Sequence, residues 1–384
     1  MISRILLIAL LLACAIAPPA PIAEASTDPQ REDWNQLLQS AEKARDENRD
    51  EDALRLFRRA LILQPESEEA LWYLGTMLYE KKQYAEARDT LRLFMTLRSD
   101  AGAGWALLGI SEFNLREYPR ALDHLQRART MGVGDRKELS QAMFYHLAML
   151  LNRFERYDEV MVILASADPD DSLIEPAGLH GLRMPYLPEE IPADRREMVE
   201  IAGRAVIAFQ AQRYDEAETA CKKLIAEYPN EPGVHYLYGA FLSIQRPGEG
   251  VPELERELQI SPAHVLARVR LAEQLIGKRD YDRALALARE AIKLEPKRVS
   301  AHLYAGEALV GKGDLADGIK ELEIARDGEP DATRIRWDLL RAYVSVGRKD
   351  DAQREKQEIE KLLHTDAQGN PGEAGDTPHD QTTH

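Results

Sequence analysis

The chain has 384 residues, of which 44% are hydrophobic, 30% charged and 7% aromatic. That balance excludes wholesale disorder, and the abundance of Ala, Leu, Arg and Glu favours helices, where those side chains lose little rotamer freedom. A formal net charge of −16 repels phosphate backbones and argues against a nucleic-acid partner.

The stretch from Met1 to Ala25 differs from the rest. Arg4 supplies one positive charge, Ile5 to Ala17 is an unbroken apolar run, Pro18-Pro19 stops any helix, and Ala23-Glu24-Ala25 has the small-x-small pattern of a cleavage site. The segment reads as a secretory signal peptide, because an apolar run this short cannot span a bilayer. An exported chain, periplasmic or secreted, is expected. Leu11-Leu12-Ala13-Cys14 also matches, loosely, the box in which a bacterial lipoprotein is acylated on cysteine. That alternative anchors the chain to the outer membrane through Cys14. No later segment is apolar enough to cross a membrane. Cys221 is then a lone cysteine; Ala217, Ala220 and Leu224 around it suit a buried structural thiol better than a reactive one.

A short lead-in, residues 26–33, precedes a pattern that repeats. Ala53, Phe57, Ala60 and Pro65 share their spacing with Ala284, Ala288, Ala291 and Pro296. Upstream of that frame sits a second motif, as in Trp105-Ala106-Leu107-Leu108-Gly109. Both recur at an even period, the step from Glu68 to Gly102, which is repeated from Val265 to Val299 and on to Thr333. In this the sequence resembles the tetratricopeptide repeat family, whose frame is W-x-x-L-G-x-x-Y followed by A-x-x-x-F-x-x-A and a closing proline.

The resemblance implies an all-α solenoid, a superhelix of helical hairpins with about nine repeats in two arrays. The units begin near Trp34, Glu68, Gly102, Gln141, Met198, Pro232, Val265, Val299 and Thr333. Small residues at positions 8 and 20, such as Gly75 and Ala87, are expected where the two helices of a unit cross. Apolar residues at positions 4, 7, 11 and 24 should fill the space within and between units. Three units depart from the frame: unit four has Val160 at position 20, unit six has Val251-Pro252 at positions 20 and 21, and the unit from Thr333 has Leu340 at position 8.

The N-terminal array spans 34–167 and the C-terminal array 198–363, whose last helix is polar enough to cap the stack. Between them, 168–197 carries Pro169, Pro176, Pro185, Pro188 and Pro192. It reads as a linker without a regular helix pair. A sharper expectation is that Leu182, Met184, Tyr186 and Leu187 fold it back into the groove, so that deleting Ile174 to Pro188 increases partner capture. Residues 364–384 have no periodicity and read as a disordered tail.

The chain carries no sign of catalysis. It has no His-Glu-x-x-His, no Cys-x-x-Cys, no Gly-x-Ser-x-Gly and no phosphate-binding loop among its residues, so no metal, cofactor or nucleophile is expected. With 66 Asp and Glu residues, no single carboxylate pair discriminates. The expectation is a non-enzymatic protein–protein interaction scaffold in the cell envelope, or an outer-membrane lipoprotein acting in envelope assembly or secretion. The resemblance implies that a protein or peptide segment lies against positions 2, 5, 9 and 12 of the first helices. Those positions carry Trp72, Tyr79, Phe113, Tyr145, Phe209, Tyr236, Trp337 and Arg341 as candidate contacts, set against the reading that several simply pack on the next unit.

Overall fold

A computed structural model describes residues 29–167 and 171–369 of the chain. Residues 364–369, expected in the disordered tail, continue the last helix, Lys349–Gly369, whereas the expectations for the signal sequence, Cys14 and residues 370–384 lie outside the described residues. Every regular element within them is helical. The chain divides into two compact units, Met1–Arg116 and Glu117–His384. The division does not fall in the proline-rich segment, which is packed into the second unit.

The first unit contains α1 (Pro29–Asp46), α2 (Asp50–Leu63), α3 (Glu68–Glu80), α4 (Tyr84–Leu97) and α5 (Gly102–Asn114). The second begins with α6 (Tyr118–Met131), α7 (Lys137–Arg153), α8 (Tyr157–Ser166), α9 (Ile174–Gly181), α10 (Arg196–Gln210) and α11 (Tyr214–Glu227). It continues through α12 (Val234–Gln245), α13 (Val251–Ile260), α14 (Val265–Gly277), α15 (Tyr281–Leu294), α16 (Val299–Lys312), α17 (Leu315–Gly328), α18 (Thr333–Ser345) and α19 (Lys349–Gly369).

Each first helix ends in the same way. Position 15 of the unit turns through the left-handed region at Asn48, Lys82, Arg116, Glu155, Gln212, Arg279, Gly313 and Gly347, with φ between 56° and 91°. The next N–H then bonds back into the helix, as Gln83 does to the Leu78 carbonyl and Asp280 to that of Leu275. This left-handed cap satisfies the last carbonyls and redirects the chain into the second helix. Unit six uses Gly248, φ 90°, slightly later in its frame, and so accommodates its Val251-Pro252 as the start of α13.

The small residues lie where backbones meet. A Cβ on Gly306 would sit 3.0 Å from the Gly318 carbonyl oxygen, and one on Gly318 would sit 3.1 Å from that of Gly306. Ala41, Ala53, Ala87, Ala121, Ala148, Ala217, Ala272 and Ala284 are fully buried at equivalent positions. Leu74, Leu91, Leu108, Leu271, Leu275, Leu322 and Leu339 are among the buried residues around them, as stacked amphipathic hairpins require.

Position 4 is apolar in several units, as at Leu71 and Ile201, but His235, His302 and Arg336 depart from the expectation of an apolar residue. There Trp105, His235, His302 and Arg336 each place a ring or guanidinium nitrogen against an upstream carbonyl, on Ser99, Pro229, Pro296 and Pro330 at 2.7–3.0 Å. In three of these units a carboxylate of the second helix meets the same side chain. Glu253 is 2.6 Å from His235, Glu321 is 2.7 Å from His302, and Glu355 is 2.7 Å from Arg336. One polar side chain thus ties the end of the preceding unit to both helices of its own. His302→Leu removes these contacts and leaves the Pro296 carbonyl and Glu321 without their ring partner. It should destabilise the second unit by about 1–3 kcal/mol, measured by urea unfolding; an unchanged midpoint would show that the tie contributes nothing.

The proline-rich segment is not a tether. Asp171–Leu173 is a 3₁₀ turn that runs into α9, and two more 3₁₀ turns, Pro188–Glu190 and Ala193–Arg195, lead into α10. Pro176 falls in the first turn of α9, where a missing N–H costs no helical bond, and Pro188 opens its turn for the same reason. Leu173, Ala177, Leu179, Leu182, Met184, Leu187 and Ile191 are buried. Helix α9 meets α10 backbone to backbone: a Cβ on Gly178 would fall 1.9 Å from the Val199 carbonyl oxygen, and one on Gly203 1.9 Å from that of Ile174. The segment is an added helix built into the repeat stack.

Candidate functional site

The added helix occupies part of the surface that the first helices would otherwise present. In α7, Tyr145 donates from its hydroxyl to Glu175 at 2.9 Å, and Asn152, fully buried, donates to the Pro176 carbonyl at 2.9 Å. Met149 between them is also fully buried. On α10, Val199 is buried at the crossing of Gly178 and Gly203, and Val206 is buried against Gly181. Positions 5, 9 and 12 of unit four and positions 2 and 9 of unit five are therefore turned toward the chain itself. Tyr145, expected to face a partner, instead holds α9.

Beyond α9 the surface opens. A cavity of about 930 Å³ is lined by Tyr236 on α12, by Leu266, Val269, Arg270 and Glu273 on α14, by Val299, Ser300 and Tyr304 on α16, and by the Glu295–Arg298 turn. A smaller one of about 230 Å³ adjoins it, lined by Met161, His180, Val206, Phe209, Leu237, Ala240, Phe241 and Ile244. Asp158, Arg183, Tyr236 and Arg270 line both. The first helices contribute most of these residues because positions 2, 5, 9 and 12 of a helix share one face at the 3.6 period.

Farther along, the groove floor carries a chain of ion pairs. Arg270 donates to Glu273 at 2.7 Å, and Arg334 lies 3.5 Å from Glu273 and donates to Glu307 at 3.0 Å. Arg341 pairs with Asp338 on the same helix. Burial pushes the Glu307 carboxyl up to about 7; Asp338 adds to that rise and Arg334 opposes it. Burial likewise raises Tyr304, with Glu273 beside it.

The other expected contacts are distributed between the two units. In the first, Trp72 is half-buried with its ring 5.3 Å from Phe94, Tyr79 is half-buried 6.2 Å from Tyr84, and Phe113 is half-buried. In the second, Phe209 packs 5.8 Å from both Tyr214 and Phe241, while Tyr236 is buried with its ring 4.6 Å from that of His264. Trp337 is 43% exposed, and Arg341 is exposed. Phe209 and Tyr236 come together at the paired cavities; Trp337 and Arg341 lie on α18 instead. Sequence reasoning passed over Arg183 and His180, whose only signal was polarity inside an apolar stretch.

The Cys221 thiol is structural. Cys221 is buried, and burial pushes it up to about 12, with Glu218 adding to the shift. It stays protonated near neutral pH and is a poor nucleophile. Among the described residues there is no group of three or more His, Cys, Asp or Glu able to hold a metal ion, and no helix long and apolar enough to cross a membrane.

Recurring helical hairpins that cross at small side chains define a repeat protein of the helix-pair class. The tetratricopeptide repeat family model matches residues 38–102, 202–232 and 269–322. These segments carry tetratricopeptide repeats, which support reading the chain as a protein–protein interaction scaffold. No curated protein matches it. Among solved structures it is similar to a MamA double mutant, at 19% identity over 44% of this chain and 97% of that one, TM-score 0.41. It is also similar to MamA from Desulfovibrio magneticus RS-1, residues 41 to the end, at 21% identity over 45% of this chain and 97% of that one, TM-score 0.39.

Proposed function

We propose that the chain is a non-enzymatic scaffold of the cell envelope that holds an extended protein or peptide segment in the groove along α12, α14 and α16. The observation that carries this reading is the open cavity of about 930 Å³ lined by three successive first helices, with Tyr236, Tyr304, Leu266 and Val269 beside charged groups. Aromatic and aliphatic side chains there bury area at small entropic cost, and the flanking charges set register and orientation. The N-terminal pattern from Arg4 to Ala25 supports export to the periplasm or beyond.

A photo-crosslinking residue at Ser300, in the groove, tests the reading in the native envelope. It should capture a discrete protein product, whereas the same group at Ile324, 50% exposed on α17, should not. Equal capture at both positions, or capture at Ile324 alone, would refute groove binding. A second reading rests on Leu11-Leu12-Ala13-Cys14: a lipid-anchored form acting in envelope assembly or secretion. It predicts a mature chain beginning at acylated Cys14, which the intact mass from the membrane fraction distinguishes from cleavage after Ala25.

A further inference from the structure

Arg183 ends the added helix in the left-handed region, φ 57°, with its N–H bonded to the His180 carbonyl. This backbone turn sends the side chain across to α12, where Nη2 donates to the Tyr236 hydroxyl at 3.2 Å. The guanidinium carbon stands 4.8 Å from the Tyr157 ring centroid and 5.4 Å from that of Tyr236. Two faces of aromatic charge hold it in place. Its Nε and Nη1 are buried and have no hydrogen-bond partner. His180, 5% exposed, lines the same small cavity, and its Nδ1 is likewise without a partner.

A fixed cation with two unpartnered buried N–H groups is costly unless something anionic completes it. The neighbouring histidines do not share its charge. Burial first, and Arg183 second, push His180 down to about 3 and His264 down to about 4. Arg270, the other guanidinium at the junction, is already paired with Glu273. Asp158 lines the cavity on its exposed side and forms no ion pair with Arg183 among those of the described residues. Around the guanidinium the walls are apolar: Met161, Val206, Phe209, Leu237, Phe241 and Ile244.

The geometry points to a seat for one acidic side chain of a bound polypeptide, with the bulky apolar residue beside it filling the small cavity; this rests on the groove reading above. The acid belongs to an internal stretch and not a chain terminus: Arg183 and Tyr236 line both cavities, so a bound chain can run along both and continue past the seat. A carboxylate meets the guanidinium through paired N–H donors, and the surrounding apolar walls exclude water and strengthen the contact.

The test uses random peptide inserts displayed inside a carrier protein, with both ends embedded, selected on the whole chain beside a library with free C-termini. Embedded winners should carry Asp or Glu next to Leu, Ile, Met or Phe. End-blocked synthetic copies should lose about tenfold in affinity or more on Glu→Gln, and equally on Arg183→Gln, with the double change losing no more than either alone. Ile244→Asp, which places a like charge on an exposed rim, should give a similar loss and decides the matter if Arg183→Gln fails to fold. Winners without the acidic–apolar pair, unchanged affinity in a folded variant, or enrichment only among free C-termini would overturn the assignment. Enrichment from neither library would overturn groove binding itself.

Discussion

Gly203→Ala should destabilise the second unit by about 3 kcal/mol or more, because its methyl group would collide with backbone and not with a side chain that can move aside. The methyl would fall 1.9 Å from the Ile174 carbonyl oxygen, so α9 must lift away from α10. Lifting it breaks the Tyr145–Glu175 and Asn152–Pro176 bonds and uncovers Leu179 and Leu182, both buried. Urea unfolding gives the magnitude, and limited proteolysis should cut within 171–195 in the variant before it cuts elsewhere. Gly277→Ala is the control: a Cβ there meets nothing within 4 Å, and the change should be neutral or stabilise by up to about 1 kcal/mol. Equal, small effects at both positions would show that α9 does not cross α10 as described. The same geometry revises the expectation that deleting Ile174 to Pro188 frees the groove. Such a deletion strips buried core and should unfold the neighbouring repeats.

The second large effect is on pH dependence. Glu307 faces Arg334 and Asp338, with Glu273 reached through Arg334 and Arg341 paired to Asp338. Its carboxyl is raised from 4.5 to about 7, so the folded state holds that proton more tightly than the unfolded chain does. The associated stability is fully present below about 4.5 and is lost as the pH rises through about 7, by linkage. At roughly 1.4 kcal/mol per unit the loss is on the order of 3–4 kcal/mol. Glu307→Gln keeps a hydrogen-bonding group without the charge. The variant should match the parent near pH 5, exceed it near pH 8, and show a flatter stability profile between. A variant less stable than the parent at pH 8 would mean that the Arg334 pair outweighs burial.

Much of the repeat architecture was legible because its constraints are local and periodic. A Gly or Ala is demanded wherever two helices cross closely, and the even spacing of the units repeats that demand at Gly75, Ala272 and Gly306. The frame expects an apolar residue at position 4 and does not account for His235, His302 and Arg336. Their partners, the carbonyls at the end of the preceding unit and the glutamates of the following helix, appear only when the hairpin closes. The added helix was missed for a different reason. Proline density argued against a regular helix pair and left the single helix α9 unread; Pro176 sits in the one turn that tolerates it, and the pairing of Gly178 with Gly203 has no signature in spacing.

For the site, register identified which face of each first helix to examine, but not what covers it. Tyr145 shows the gap: its position in the repeat is that of a groove residue, and Glu175 of the insertion takes it up. The same insertion delivers Arg183 between Leu182 and Met184, two apolar neighbours that drew attention away from it. A groove contact supplied by an insertion lies outside the repeat frame and cannot be found by alignment to that frame.

In the proposed groove the first helices α12, α14 and α16 bind a protein segment while the second helices face away from it. Hydrogen–deuterium exchange of the whole chain, alone and with the crosslinked partner purified in complex, tests this most directly. Protection should rise in peptides covering 234–245, 265–277 and 299–312 and stay unchanged in 281–294 and 315–328. Protection confined to those second helices, with the first helices unaffected, would contradict the account.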